Sequence, residues 1–302
     1  MAGKAAIIVH SGAGSGKFPA TDPRFRELRN ALDEGRSAMR RGSSLEGVES
    51  AVAYMEEAGV FNAGRGSCLT VNGRVQLDAA IMRGDDRKGA GVGAVTCTYH
   101  PVSLARWLME NTRQVLLVAD DCEPYAKAAG MKVTSVRPSA SSRARFAKLK
   151  AEPTPVGREN LRLWKSLNEG NTVGAAAIDS DGVPSAAVST GGMWLKLPGR
   201  VGDSAILGAG VYADRTGAAS ATGTGEEIIR NALCLKACEF VKASGALTGA
   251  RRAIGLISRV SGRGTAGIVT VDSKGRVGAS FNTEAMGRAW YDNEKGRPVV
   301  RV

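Results

Sequence analysis

The sequence predicts a layered α/β fold in which antiparallel sheets are covered by paired helices. Short apolar runs of strand length recur along the chain, and several are joined by glycine-containing turns typical of hairpins. Amphipathic helical patterns come in consecutive pairs, which disfavours the alternating strands and helices of a parallel sheet. The 302 residues suffice for one large domain or two small ones. A charged central stretch divides the chain into halves that we expect to share one core.

The first half begins with a buried-strand run at residues 5–9, followed by a glycine-rich segment at 11–16. Two helices are expected next, because Gly42 ends one helical pattern and Ser43 or Ser44 can cap another. Asn72-Gly73 suits a type I′ turn and predicts a hairpin. The predicted elements are helices at 23–41, 43–57, 102–111 and 122–129, hairpin strands at 67–71 and 74–82, and strands at 91–99 and 115–119.

Residues 132–171 form a basic stretch that we interpret as a mobile linker with one short helix. Between 132 and 165 there are nine Lys or Arg and two Glu, which gives +7 of the net charge of +12. Three prolines and the polar composition favour irregular structure. A nucleic-acid partner is disfavoured, because the charge does not form a stripe with interleaved aromatic residues.

The second half repeats the pattern of hairpins and helices. Turns at Ser180-Asp181-Gly182 and Ser273-Lys274-Gly275 separate pairs of short apolar runs. The predicted elements are strands at 172–178, 184–190, 218–222, 268–272 and 276–281, and helices at 226–244 and 247–260. These runs again favour antiparallel pairing.

Composition excludes several classes of protein. No apolar run is long enough to cross a membrane, and the N-terminus lacks the pattern of a signal peptide, so we expect a cytoplasmic protein without membrane association. Five scattered cysteines and two histidines favour buried, reduced thiols over disulfides or a zinc site. The segment 11–17 resembles a phosphate-binding loop but lacks its first glycine and its terminal hydroxyl residue. His10 ends a buried strand and is interpreted as structural.

The candidate chemistry centres on Thr172. A threonine hydroxyl needs a base, and with few histidines the available base is the α-amine of the same residue once it becomes a chain terminus. Such an amine titrates at about 7.7–8.0, which suits a general base near neutral pH. This chemistry requires cleavage between Asn171 and Thr172, where the linker meets a new strand.

Further polar residues downstream fit an amino-acid substrate. Arg200 offers a planar fork for a carboxylate, and Asp203 can hold an α-ammonium, so the pair fits a zwitterion. Thr222 and the Gly223 amide can form an oxyanion hole, and Gly225 lets the backbone approach a ligand closely. Each motif alone has an ordinary structural explanation, and only their combination favours a hydrolase.

These motifs resemble those of plant-type asparaginases and isoaspartyl peptidases, which are N-terminal nucleophile hydrolases. The resemblance covers nearly the whole chain and is carried by Asn-Ala-Gly-Arg-Gly-Ser at 62–67, Gly-Asn-Thr-Val-Gly at 170–174, Ser-Thr-Gly-Gly at 189–192, Gly-Arg-Val-Gly-Asp-Ser at 199–204 and Thr-Gly-Thr-Gly-Glu at 222–226. It implies a four-layer αββα sandwich in a single domain spanning 1–302. It also implies a precursor that cuts itself into an α subunit (1–171) and a β subunit (172–302).

The resemblance also implies individual roles. Thr172 would be the nucleophile, with Thr190 hydrogen-bonded to it and Asn62 nearby. Thr222 and Gly223 would line the oxyanion hole. Arg200 and Asp203 would bind the substrate, helped by the Gly225 carbonyl. No catalytic cofactor is implied, but a structural sodium would bind main-chain carbonyls in the loop formed by Met55, Glu56, Ala58, Phe61, Ala63 and Arg65. The implied assembly is a homodimer of αβ units.

Four positions depart from the family pattern. Ser11 replaces a glycine after the first strand, and Asn171 stands before the nucleophile where Gly or Asp is common. Arg83 replaces an acid, and Trp194 replaces a small polar residue. We expect these changes to affect self-cleavage and leaving-group choice rather than the core chemistry.

The sequence thus favours a self-cleaving threonine hydrolase acting on L-asparagine, β-aspartyl peptides or both. The alternatives are a threonine aspartase, a glycosylasparaginase-like amidohydrolase, and an uncleaved basic protein that binds nucleic acid on the same fold. Recognition of a free amino-acid end by Arg200 and Asp203 would separate the first function from a protein-cleaving one. Salt-dependent nucleic-acid binding would support the last alternative.

Overall fold

Two β-sheets pack face to face, and helices cover both outer faces. The computed structural model describes residues 5–14, 21–152, 172–292 and 297–301. Within these ranges the layers follow the order helix, sheet, sheet, helix. The αββα sandwich expected from the family resemblance is therefore confirmed.

The larger sheet has eight strands among the described residues. They are β1 (Ala6–Gly14), β2 (Leu77–Arg83), β3 (Gly89–Val95), β4 (Leu116–Val118), β5 (Thr172–Ile178), β6 (Pro184–Thr190), β11 (Ala285–Asp292) and β12 (Arg297–Arg301). Their spatial order is β12-β11-β1-β5-β6-β2-β3-β4. Every neighbouring pair is antiparallel except β3 with β4, which is parallel.

The smaller sheet has four antiparallel strands in the order β10-β9-β8-β7. They are β7 (Val211–Asp214), β8 (Gly217–Gly223), β9 (Ala266–Asp272) and β10 (Val277–Phe281). β8 and β9 lie against β5 and β1 of the larger sheet. The ends of β1, β5, β6 and β8 thereby meet at one edge of the sandwich, where the site described below is found.

Helices on the outer faces complete the sandwich. They are α1 (Pro23–Arg41), α2 (Ser44–Glu57), α3 (Pro101–Asn111), α4 (Glu123–Ala128), α5 (Ala140–Ala151), α6 (Gly225–Asn231), α7 (Leu233–Ser244) and α8 (Ala246–Ser261). Asp22 caps α1, and Ser43 caps α2 in a reciprocal box with Glu46. Helices α1 to α3 pack on the larger sheet, and α7 and α8 pack on the smaller one.

Alternation along the strands explains why the runs of apolar residues are continuous. In β1, Ile7 and Val9 face the α1–α2 layer, whereas Ile8 faces the other sheet. In β9, Val269 faces the larger sheet and Ile268 faces α7 and α8. Successive strand side chains point to opposite faces, so a strand covered on both sides must be apolar throughout.

Several predicted elements differ from the structure. A turn is present, with Gly73 at φ +78°, but the predicted type I′ turn at Asn72-Gly73 is wrong, because Asn72 does not have a positive φ. The Gly73 amide donates to the Thr70 carbonyl at 2.8 Å, so Val71 and Asn72 are the central residues of the turn. The predicted strand at 67–71 is also wrong. Its backbone instead bonds a later loop, since the amide of Leu195 donates to Leu69 and that of Val71 to Lys196. The predicted helix at 226–244 is broken at Ala232, which has φ +45°. The break lets the first amides of α7 donate to carbonyls at 208–209.

The basic stretch is described only in part. Residues up to 152 include α5, which agrees with one short helix, whereas 153–171 lie outside the described residues. The side chain of Ser142 in α5 donates to the Ser67 carbonyl at 2.9 Å and is buried. Within the described residues, no helix has the length and apolar character needed to span a membrane.

Candidate active site

Thr172 begins β5 directly opposite Thr190, the last residue of β6. Its hydroxyl donates to the Thr190 hydroxyl at 3.2 Å, and the residue is only 5% exposed. The Thr190 oxygen also accepts from the Gly192 amide at 2.9 Å. Because β-sheet register fixes both threonines, the Thr172 hydroxyl is held at the end of the strands with a defined orientation.

Asn62 ties the loop after β6 to the loop after α2. Its side-chain amide donates to the Gly192 carbonyl at 2.6 Å, and its side-chain oxygen accepts from the Cys68 amide at 2.7 Å. The contact between the side-chain amide of Asn62 and the Thr190 hydroxyl is longer, at 3.5 Å. A Cβ at position 191 would lie 2.6 Å from the Asn62 oxygen, which explains the glycine there.

The predicted oxyanion residues end β8. The Thr222 hydroxyl is fully buried and accepts from the Ala13 amide at 3.2 Å, which bridges the two sheets. Gly223 has φ +140°, and a Cβ there would overlap the Thr265 carbonyl. Gly223 and Thr224 line the cavity in front of Thr172, and Thr222, the residue before them, is not among the lining residues.

Arg200 and Asp203 lie on the loop that leads into β7. The Arg200 guanidinium forms two 2.9 Å contacts with Glu226 at the start of α6. Asp203 is 4% exposed, and its Oδ2 atom has no hydrogen-bond partner among the described residues. Burial raises the pKa of the Asp203 carboxyl to about 7, although the charge of Arg200 opposes the shift. A Cβ at Gly225 would lie within 3 Å of both side chains.

A buried ion pair supports this loop and was not predicted from the sequence. Asp78 of β2 accepts from the Gly202 amide at 3.1 Å and from the Ala94 amide at 2.8 Å. Lys196 lies 3.7 Å from the same carboxylate and donates to the Gln76 carbonyl at 2.8 Å. Both charged side chains are fully buried. An acid inside an apolar strand was the available signal for Asp78, whereas Lys196 resembled a surface residue.

These groups surround one cavity of about 500 Å³. Its polar lining includes Thr172, Thr190, Asn62, Arg200 and Asp203, so the structure brings together residues from both halves of the chain. Its wall also contains Ala13, Gly14, Arg24, Val60, Phe61, Gly66, Arg145, Gly192, Met193, Trp194, Gly223, Thr224, Gly264, Thr283 and Glu284. Arg24, Arg145 and Glu284 were not among the predicted site residues.

Comparison with known proteins places the chain in a family. The family described as Asparaginase matches residues 3–300. The chain belongs to the asparaginase family. A plant-type L-asparaginase of Pyrobaculum calidifontis is 40% identical over 94% of this chain and 96% of its own length. One from Thermococcus kodakarensis is 39% identical over 99% of this chain and 100% of its own. An isoaspartyl peptidase of Escherichia coli is 36% identical over 95% and 93%.

The departures from the asparaginase pattern occupy different places. Trp194 lines the cavity. Arg83 lies away from the cavity and pairs with Asp85 and Asp86. The Ser11 side chain packs where a Cβ at Gly287 would stand. Asn171 lies outside the described residues.

His10 lies behind the asparaginase site rather than in it. Its Nε2 atom is 3.1 Å from the Ser220 hydroxyl, and the side chain is fully buried. Burial lowers the pKa of His10 to about 3, so the imidazole is neutral at physiological pH. These contacts agree with the structural role expected for it.

The predicted cation loop is only partly a loop, because Met55 and Glu56 belong to the last turn of α2 and the other predicted ligands follow that helix. Gly64 has φ +48°, and a Cβ there would overlap the Glu56 carbonyl and lie 2.7 Å from that of Tyr99. A Cβ at Gly66 would overlap the Phe61 carbonyl. Carbonyl oxygens thus crowd the inside of this loop. No cluster of three His, Cys, Asp or Glu side chains suitable for a metal occurs in the part of the chain that is described.

Proposed function

We propose that the chain is a self-cleaving threonine hydrolase that releases aspartate from L-asparagine, β-aspartyl peptides or both. The observation that carries this proposal is the Thr172–Thr190 hydroxyl pair, which shares a cavity with Arg200 and Asp203. The similar proteins named L-asparaginase and isoaspartyl peptidase support the same substrates. The nucleophile and the two charges that fit an amino-acid end therefore face one substrate-sized space.

Maturation begins with attack of the Thr172 hydroxyl on the Asn171 carbonyl. The peptide bond is replaced by an ester, and the proton of the hydroxyl passes to the departing amine. Water then hydrolyses the ester, which leaves a carboxyl on Asn171 and a free α-amine on Thr172. This amine is the proposed base, because it lies on the nucleophile itself, whereas the neighbouring His10 is buried and is not among the residues that line the cavity.

In turnover, the α-amine of Thr172 accepts the proton of its own hydroxyl, and the oxygen attacks the side-chain carbonyl of the substrate. Gly223 and the Thr222 hydroxyl would stabilise the oxyanion, since a hydroxyl that accepts from Ala13 can still donate. The ammonium returns its proton to the leaving nitrogen, and a β-aspartyl ester remains on Thr172. Water hydrolyses that ester and restores the threonine.

Arg200 and Asp203 would select the aspartyl end of the substrate. The guanidinium binds the α-carboxylate, and the Asp203 carboxylate together with the Gly225 carbonyl binds the α-ammonium. Glu226 fixes the orientation of Arg200 through its paired contacts. The substrate of a protein-cleaving enzyme has no free α-carboxylate and α-ammonium at the cleaved residue. The Arg200–Asp203 pair therefore favours small substrates.

Intact mass and activity test the proposal together. We expect purified protein to yield two fragments that separate between Asn171 and Thr172, and the cut protein to hydrolyse asparagine or a β-aspartyl dipeptide. Thr172→Ala should remain uncut and inactive while keeping its fold by circular dichroism. Turnover by the folded alanine variant would exclude Thr172 as the nucleophile.

We also propose a structural sodium between the last turn of α2 and the loop that follows it. The carbonyls of Met55, Glu56, Ala58, Phe61, Ala63 and Arg65 would hold it, and hard cations prefer such oxygen ligands. The ion would brace the loop that presents Asn62. Replacing sodium by choline should lower the melting temperature, because an ion that binds only the native state stabilises it. An unchanged melting temperature would contradict this site.

The homodimer of αβ units is a proposal that rests on the family resemblance alone. Analytical ultracentrifugation of the purified protein checks it directly. A sedimentation coefficient for about twice the 31.4 kDa of one chain is expected. A monomer at micromolar concentration would contradict the dimer without affecting the proposed chemistry.

A further inference from the structure

One arginine of the basic stretch at 132–171 lies on the wall of the cavity. Arg145 of α5 lines the cavity, and its guanidinium carbon is 5.1 Å from the centroid of the Trp194 ring. Trp194 is 6% exposed, so its ring is held by its surroundings. A guanidinium over an aromatic ring is attracted by its π face, and the N–H donors that do not point at the ring remain available.

The other two arginines of the cavity have carboxylate partners. Arg200 pairs with Glu226, and Arg24 pairs with Asp22. No Asp or Glu oxygen lies within 4 Å of the Arg145 guanidinium among the described residues. Arg145 is therefore the cavity arginine whose charge is not paired with an acid there, and its surface position keeps it accessible.

Helix α5 is anchored close to the catalytic groups. Ser142, one turn before Arg145, donates to the Ser67 carbonyl next to the Asn62 loop. The next residue after Arg145, Phe146, packs against the main core. Because residues three and four apart lie on one face of a helix, these contacts fix the side of α5 from which Arg145 extends.

We propose that Arg145, held against Trp194, binds the α-carboxylate of the amino acid that leaves from a β-aspartyl peptide. This inference rests on the proposed function. When Thr172 attacks a β-aspartyl dipeptide, the leaving group is an amino acid whose carboxylate lies one carbon from the departing nitrogen. Asparagine releases ammonia, which carries no carboxylate. Arg145 consequently favours peptide substrates that have a free C-terminal carboxylate.

Three substrates isolate this contact. β-Aspartyl-leucine has the leaving-group carboxylate, β-aspartyl-leucinamide lacks its charge, and L-asparagine lacks the leaving residue. We expect Arg145→Gln to lower kcat/KM for β-aspartyl-leucine about fivefold to tenfold, mainly through KM, as for an exposed charge-assisted bond. The values for the amide and for asparagine should change less than twofold. Arg145→Lys should recover part of the loss.

Arg143→Gln is the matched control. Arg143 lies on the same helix, is exposed and is outside the cavity lining, so its loss changes the net charge equally. Its variant should leave all three substrates within twofold of wild type. An equal loss from both variants would assign the effect to long-range charge and overturn the proposal.

The remaining outcomes are also decisive. If Arg145→Gln lowered kcat/KM equally for β-aspartyl-leucine and β-aspartyl-leucinamide, or changed neither value, Arg145 would not bind the carboxylate. A wild-type enzyme that hydrolyses asparagine and does not prefer the acid over the amide would overturn this inference and leave the proposed function intact. A cut protein inactive on all three substrates would overturn both.

Discussion

Asp203 must carry a charge that its surroundings disfavour. The carboxyl is buried, and burial raises its pKa to about 7. An ammonium can bind strongly only to the ionised form. The ionised carboxylate that binds substrate therefore destabilises the fold. At mildly acidic pH the folded protein keeps the Asp203 proton, whereas the unfolded chain has already released it.

We expect the kcat/KM of the matured enzyme to fall below about pH 8, where the Thr172 α-amine is protonated, and to fall more steeply below about pH 7, where Asp203 is protonated as well. The contribution of Asp203 to the stability of the fold should change with pH in the opposite direction. The folded pKa is about 7 and the ordinary value is 3.8, so the contribution of Asp203 to the free energy of unfolding falls as pH rises through that window. His10 contributes in the opposite direction, because burial lowers its pKa from 6.5 to about 3. Kinetic pH profiles measure the first effect, and the difference in unfolding free energy between wild type and Asp203→Asn at pH 5 and 8 isolates the second.

Asp203→Asn is the variant that separates these effects. It should lose at least about 100-fold in kcat/KM, because the amide cannot pair with the ammonium. At pH 8 it should be more stable than wild type, since a buried charge is removed. A variant less stable than wild type at pH 8 would show that the ionised carboxylate is satisfied in the fold.

At the scale of elements, the loop between β6 and β7 depends on the buried Asp78–Lys196 pair. Lys196→Met would leave the carboxylate charged and without its cation, although the Gly202 and Ala94 amides still bond it. Breaking a buried pair from one side costs about 3–5 kcal/mol. We expect a loss of that order in urea unfolding.

Adding Asp78→Asn to Lys196→Met is the control for this prediction. The double variant removes both charges, so part of the lost stability should return. If the two substitutions were additive, the pair would not interact and the loop would be held by the backbone hydrogen bonds alone.

Elements with strong local signals were predictable from the sequence. The runs in β1, β5 and β6 are continuous because both faces are buried, and α2 carries its capping box in the sequence. The strands β11 and β12 were missed, since charged residues such as Arg288 and Arg301 interrupt their apolar pattern. The break at Ala232 has no glycine or proline to announce it, because it is set by carbonyls far away in the chain.

In the candidate site, too, residues in local motifs were predictable and residues placed by tertiary contacts were not. Thr172, Thr190, Arg200 and Asp203 lie in recognisable motifs, and the structure places them around one cavity. Arg145 lies in a stretch whose composition indicated only solvated charge. Its place in the cavity wall depends on how α5 packs against the loops near Ser67, and such tertiary contacts leave no local pattern.

At the scale of the whole molecule, the proposed cut divides a sheet whose strands are interleaved. The described strands before residue 171 are β1 to β4, and those after it are β5 to β12. In the larger sheet, β1 lies between β11 and β5, and β6 lies beside β2. Strands of one fragment therefore lie between or beside strands of the other fragment in the same sheet.

We accordingly expect the two fragments to stay together after cleavage. Cut protein should elute as a single species in native size-exclusion chromatography and separate only in denaturant. Separation requires breaking the β1–β5, β1–β11 and β2–β6 ladders and exposing the cores on both faces of the larger sheet. Fragments that parted in native buffer at micromolar concentration would contradict the interleaved sheet itself, whereas Thr172→Ala, uncut, supplies the elution volume expected for the intact fold.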